Sequence, residues 1–387
     1  MRLFDGRIMR RSLWAYLLLP LFALVIPPAL AAPLKTYETR YYVLHTDLDQ
    51  RAVREAEARI CAMAEMYYER TKQFGGTIKS KLPFYLFGEA EDYYASGGMR
   101  GSAGVYNGER LMAIASPQYG DEVWHVVQHE GFHQFIHAVI GGDIPVWVNE
   151  GLAEYFGQSV FTGDGFVTGV IPPDRLARVQ ALISAGKMHS IDTMMTMTYS
   201  EWNSSLNVVN YDEAWAMVYF LAHADNGRYS SAFNKFIQDV SRGMKYEHAW
   251  KKSFGTGTRE FEAKWKKYWL EMSAEASAPE YAKATAATLT SFLARAVSQK
   301  QTFDTFEAFQ AAAQAGRIQQ NSKDWLPLAL LEEALARASQ YGQWQIAKRG
   351  GRYHLLGTLE DGTVCDGTFQ IRSGRVVANS VKVATRK

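Results

Sequence analysis

The segment His129-Glu130-Gly131-Phe132-His133 constrains this chain more than any other feature. Ligands at i and i+4 stand one above the other on a helical face, so the two imidazoles can grip one metal ion while the Glu between them reaches a metal-bound water. The helix carries four histidines one turn apart, His125, His129, His133 and His137. Only the central pair encloses a carboxylate, because Val126 and Gln134 stand where the outer pairs would need one. Four helical residues overshoot a full turn by about 40°, so His125 and His137 swing away from the metal face and read as packing or supporting residues. A catalytic zinc keeps three protein ligands and one open position, so a third donor must arrive from elsewhere in the chain.

Trp147-Val148-Asn149-Glu150-Gly151-Leu152-Ala153-Glu154-Tyr155 supplies it. The Gly141-Gly142 turn lets a second helix, opened by Glu150, fold back on the first. Glu154, one turn further on, can accept the second ring N–H of a ligand histidine and fix its tautomer. The competing reading makes Glu150 and Glu154 an exposed acidic face.

Around this pair the pattern is α+β. Glu38 to Thr46 alternates as a strand, residues 49–74 carry a helical period, and Leu82 to Phe87 is a second strand. Gly104 to Tyr106 and Leu111 to Ala115 flank Asn107-Gly108, a strong hairpin signal. After helices at 122–140 and 150–157 and a hairpin near 159–171, nearly everything to about 275 is helical. This predicts an α+β lobe at 32–145 and a helical lobe at 146–275, with 387 residues being more than one core usually serves. The Ala-, Ser- and Pro-rich segment 274–285 is the best boundary. Helices follow over 276–342, then a small antiparallel sheet over 343–387.

The first 31 residues have the layout of a cleaved signal peptide: Arg10-Arg11, an apolar stretch from Leu13 to Ile26, then Ala29-Leu30-Ala31. Pro20 and Pro27-Pro28 interrupt that stretch and leave it short of the ~20 residues a membrane span needs, which disfavours an uncleaved anchor. Export to a periplasm or the extracellular space follows, with no stable membrane insertion after cleavage. The whole chain carries +2; removing the leader's +3 leaves −1, so there is no bulk electrostatic reason to bind nucleic acid. The Lys264-Trp265-Lys266-Lys267 run reads as a solvated helix face, since Phe261, Trp265 and Trp269 have core spacing. Cys61 and Cys365 are expected to stay unbridged.

His-Glu-Gly-Phe-His followed by Trp-Val-Asn-Glu-Gly-Leu-Ala-Glu-Tyr resembles the gluzincin metallopeptidases, and most closely a peptidase MA-like family of predicted proteases, over roughly Glu38 to Met272. The resemblance implies a two-lobed thermolysin-like fold with the active site between lobes. It implies one Zn2+ per chain on His129, His133 and Glu150, with Glu130 as the base that activates the metal-bound water. Tyr211-Asp212-Glu213-Ala214-Trp215-Ala216 looks like the helix start of gluzincin aminopeptidases, where a phenol steadies the tetrahedral intermediate. Packing of the Tyr211 ring on Trp215 is the alternative. Tyr106-Asn107-Gly108 looks like the thermolysin-like hairpin, which would make Ala103, Gly104, Val105 and Tyr106 the strand along which substrate lies. Gly101 to Tyr106 lacks the acidic residue that anchors a free α-amine in the aminopeptidases. The expected function is therefore a secreted zinc peptidase, endopeptidase rather than aminopeptidase, acting on a peptide or protein. The alternatives are a non-catalytic, zinc-stabilised envelope binding protein and a zinc hydrolase of a non-peptide amide or ester.

Overall fold

The computed structural model describes residues 33–115, 122–140, 143–204, 208–322, 324–373 and 375–385. The leader at 1–31 and the Gly141-Gly142 turn lie outside the described residues. The first sheet runs in the order β1 (Lys35–Glu38), β2 (Tyr42–Thr46), β3 (Leu82–Phe87), β5 (Leu111–Ile114), β4 (Gly104–Tyr106). The three central strands are parallel, and both edges are antiparallel to their neighbours. The stretch read as one strand from Glu38 to Thr46 is thus two strands. Thr39 makes the turn, its hydroxyl accepting from the Tyr42 amide at 2.9 Å. Alternation continues on both sides of the turn and no Gly or Pro marks it, so the pattern hides the break.

A parallel pair needs a crossover, and α1 (Gln50–Thr71) provides the one between β2 and β3. Asp49 starts this helix by accepting from the Arg51 and Ala52 amides. Its Val53, Ala56, Ile60, Ala64 and Tyr67 are buried against the sheet side of the core. A short helix, α2 (Ala90–Ala95), precedes the loop that carries Gly97, Gly98 and Gly101.

After β5 come α3 (Glu122–Val139) and α4 (Val146–Gly157), then the small hairpin of β6 (Val160–Phe161) and β7 (Phe166–Val167). Seven helices follow: α5 (Pro173–Ser184), α6 (Ile191–Thr196), α7 (Tyr199–Ser204), α8 (Val208–Gly227), α9 (Ser230–Ser241), α10 (Tyr246–Phe254) and α11 (Thr258–Leu270). One hydrophobic core runs through the sheet and these helices, with Trp147, Trp215, Trp250, Trp265 and Trp269 fully or nearly fully buried in it. Lys266, on the outer side of α11, pairs with Glu262 at 2.5 Å.

The C-terminal part has its own core. Helix α12 (Ala278–Ser298) is buried between α13 (Phe306–Gln314), α14 (Leu328–Ala338) and a four-stranded antiparallel sheet of β8 (Gln343–Arg349), β9 (Arg352–Thr358), β10 (Thr363–Arg372) and β11 (Arg375–Thr385). A Cβ at Gly367 would strike the Thr290 hydroxyl, so the bare backbone of β10 lets α12 lie close on the sheet. The β6–β7 hairpin crosses between the two cores. Phe161 belongs to the second core, and Asp164 meets the buried Arg295 at 2.7 Å. The described residues from Leu34 onward form one compact unit. Cys61 is partly buried, Cys365 is buried, and both are free thiols.

Candidate metal centre

Helices α3 and α4 lie against each other, and buried Gln128 is the clamp. Its amide donates to the carbonyls of Phe156, Gly157 and Ser159 at 2.9–3.0 Å, satisfying acceptors that the end of α4 leaves open. Glu150 does not open α4 as its sequence suggested. The helix begins at Val146, directly after Pro145, so Glu150 sits in the second turn. Of the four added residues, Val146, Trp147 and Val148 are buried, and the Trp147 indole N–H donates to Met195 Sδ at 3.1 Å.

This packing brings three donor atoms to one point. His129 Nε2 and His133 Nε2 are 3.1 Å apart, and Glu150 Oε2 lies 3.4 Å from the first and 3.5 Å from the second. Among the described residues this is the group able to hold a metal ion. Both histidines have their other nitrogen occupied. His129 Nδ1 faces Glu154 Oε1 at 3.1 Å, and His133 Nδ1 faces Asn149 Oδ1 at 3.1 Å. Those acceptors hold the proton on Nδ1 and turn each Nε2 lone pair to the shared centre.

The electrostatics ask for positive charge at that centre. Burial alone would depress His129, but Glu150 and Glu154 overcome it and raise its pKa to about 10. Burial alone would raise Glu150, but His129 and His133 overcome it and bring it to about 2. Glu154 is held low in the same way by His129 and Arg175 against the effect of burial. Two imidazoles and a carboxylate converging within 3.5 Å fit a cation, because without one they must hold protons between them.

Glu154 is itself gripped. Arg175 reaches it at 2.5 Å and, with its Nε, reaches Asp212 at 2.7 Å. Asp212 is fully buried and also receives Arg178 at 2.8 Å. This bridge ties α5 to α4 and to the first turns of α8, next to Tyr211. The Tyr211 ring lies 6.4 Å from that of His129 and packs edge-on against Trp202 at 5.3 Å, while Trp215 turns to Tyr219, Trp269 and Arg175. Burial raises the Tyr211 phenol pKa, so the group is a donor at neutral pH.

The motif glycines have separate reasons. A Cβ at Gly151 would lie 2.5 Å from the Ala214 carbonyl, so this residue lets α8 approach α4 and brings Tyr211 to the candidate metal ligands. A Cβ at Gly131 would meet the flexible end of Met63 at 2.8 Å and the Tyr67 hydroxyl at 3.4 Å.

Strand β4 is the open edge of its sheet and lies on α3. Ala103 accepts from the Ile114 amide and the Asn107 amide donates to Arg110, so with Val105 opposite Met112 the polar groups of Gly104 and Tyr106 face away from β5. The Tyr106 N–H donates to Glu130 Oε2 at 2.8 Å. A Cβ at Gly104 would come within 2.7 Å of Val126, which is how close strand and helix run. Two clefts meet this region. One of about 540 Å³ opens at His129, Glu130, Arg175 and Tyr211. The other, about 1140 Å³, opens at Tyr106, His133, Asn149, Glu150 and Tyr199.

His129, Glu130, His133, Glu150, Glu154 and Tyr211 are therefore brought together, with Ala103 to Tyr106 alongside. His125 lines the smaller cleft beside Gly157, kept neutral by burial. Sequence reasoning missed Asn149, Arg175, Arg178 and Asp212. Asn149 has a local signal, a polar residue beside Glu150 in an otherwise apolar turn. The arginines have none, because Asp212 lies 37 residues beyond Arg175.

Residues 124–250 match the model of a family described as a protein of unknown function, DUF1570. The matched span runs from α3 through most of α10. It contains every metal-facing residue above and leaves out β4. No curated protein matches the chain.

Proposed function

We propose that this chain is an exported, zinc-dependent peptidase of gluzincin type that cuts internal peptide bonds. The observation that carries the reading is the triangle of donors at 3.1–3.5 Å with Glu130 in the same helical turn. Zinc bonds of 2.0–2.1 Å in a regular tetrahedron place ligand atoms about 3.3–3.4 Å apart. An octahedral magnesium site would need about 2.9 Å and prefers oxygen donors. The donor set His, His, Glu also matches a site that keeps a fourth position open. Zinc bound there would supply a Lewis acid that polarises a carbonyl and lowers the pKa of water to about 7.

The remaining work falls to the chain's own residues. Glu130, with one oxygen engaged by the Tyr106 N–H, has the other to take a proton and return it to the departing amine. Glu154 and Asn149 keep both imidazoles turned inward. The Gly104 N–H and C=O and the Tyr106 C=O form the open strand edge to which an extended peptide can pair, the Tyr106 N–H being taken by Glu130. Export rests on the leader, and no helix among the described residues is long and apolar enough to cross a membrane.

The test is cleavage of extended peptides whose N-termini are acetylated. Cutting at internal bonds, abolished by a chelator and restored by zinc, is expected. A strict demand for a free α-amine would overturn the endopeptidase reading, and indifference to chelation would overturn the metal-dependent one.

Tyr211 lines the cleft that also holds Glu130, where its O–H can donate to oxygen that becomes negative as a peptide carbonyl is attacked. Tyr211→Phe should keep metal and fold and lower kcat by about 10²- to 10³-fold with little change in KM. A kcat within about threefold of wild type would mean that the ring only fills space beside Trp202.

A further inference from the structure

We infer that His137 is a positioning residue: through the Tyr106 hydroxyl it pins the edge strand so that the Tyr106 N–H meets Glu130. The inference rests on the proposed peptidase reading for its catalytic consequence only. His137 stands eight residues after His129, about 80° off the metal face, but seven after Glu130, within about 20° of the same face. Two turns of one helix thus present Glu130 and His137 side by side to β4.

Tyr106 spans them. Its hydroxyl is 2.7 Å from the Gly108 carbonyl and 2.6 Å from His137 Nδ1. A phenol has one proton, and a carbonyl can only accept, so the proton goes to Gly108 and His137 Nδ1 is the N–H donor. The turn beyond is stiff. Asn107 Oδ1 accepts from the Glu109 and Arg110 amides at 3.1 and 3.0 Å, and Gly108 takes a positive φ of 93°. Fixing the phenol therefore fixes the backbone of Tyr106, whose N–H takes Glu130 Oε2 at 2.8 Å and leaves Oε1 for the reaction. None of these groups is a metal ligand.

The experiment reads amide hydrogen exchange at Tyr106 in the full chain without metal, beside steady-state kinetics of the zinc-loaded enzyme. His137→Ala and Tyr106→Phe should each speed Tyr106 exchange by about three- to tenfold, as loss of one hydrogen bond implies, and the double variant no further. His137→Asn, whose side-chain N–H occupies the place of Nδ1, should return exchange to within about twofold of wild type. In the kinetics, kcat should fall by about tenfold in His137→Ala with KM within about twofold, and recover in His137→Asn. Wild-type exchange in both single variants would overturn the latch. Faster exchange with unchanged kcat in an active enzyme would overturn the positioning role. If no form of the protein cuts peptides, the functional reading fails while the exchange measurement still decides the latch.

Discussion

Glu130→Gln should bind its metal, fold as the wild type does, and lose about 10²- to 10⁴-fold in kcat, the range that a general acid–base group contributes. The amide has nearly the shape of the carboxylate and keeps an oxygen that can accept the Tyr106 N–H, so the edge strand should stay in place. What it cannot do is take a proton from water. The substitution therefore separates the chemistry from the scaffold, and KM should change far less than kcat. Metal analysis and thermal unfolding of the variant must match the wild type for the comparison to count. Turnover at the wild-type rate would remove Glu130 from the reaction and favour a structural metal site.

His133→Ala should purify with almost no bound zinc, against about one per chain in the wild type. Two donors at 3.4 Å, His129 and Glu150, would remain. The affinity loss should exceed the 10- to 100-fold that follows from removing an outer hydrogen-bond partner of a ligand. His125→Ala and His137→Ala should keep the metal, since neither side chain enters the donor triangle. Binding to the folded form alone stabilises it, so a chelator should lower the wild-type Tm and leave His133→Ala unmoved. Equal metal loss from all three histidine variants would mean that the helix presents a different face. Retention of zinc by His133→Ala would place the ion elsewhere.

The donor set was legible in the sequence because helical geometry is local. A spacing of four residues fixes a face without knowledge of the fold, and the count of ligands that zinc requires asked for a third donor, which the segment around Glu150 offered. The hairpin at Asn107-Gly108 was legible for the same reason, since turn chemistry is written in two residues. The break at Thr39 was not, because a side-chain hydroxyl can make a turn inside an alternating run. Nor was the start of α4, where burial of Trp147 and its neighbours extends a helix that polar residues further on had seemed to open. The Arg175–Asp212 bridge and the contact of Tyr211 with Trp202 are matters of tertiary packing. His137 shows a further limit. Its distance from His129 set it aside, while its distance from Glu130, one residue nearer, was the spacing that mattered.

The hairpin that carries Phe161 and Asp164 has a consequence for any attempt to treat this protein as interchangeable parts. A cut at 274–285 looks attractive on composition, and it would preserve every residue of the metal centre. It would also strip Phe161 of the apolar neighbours that α12 and the segments after it provide, and remove Arg295 from beside Asp164. That hairpin begins three residues after α4 ends, so the damage would reach the helix that holds Glu150. The C-terminal sheet and its helices are better regarded as the keystone of the half that carries His129, His133 and Glu150 than as cargo, and grafting or shortening should move the two together.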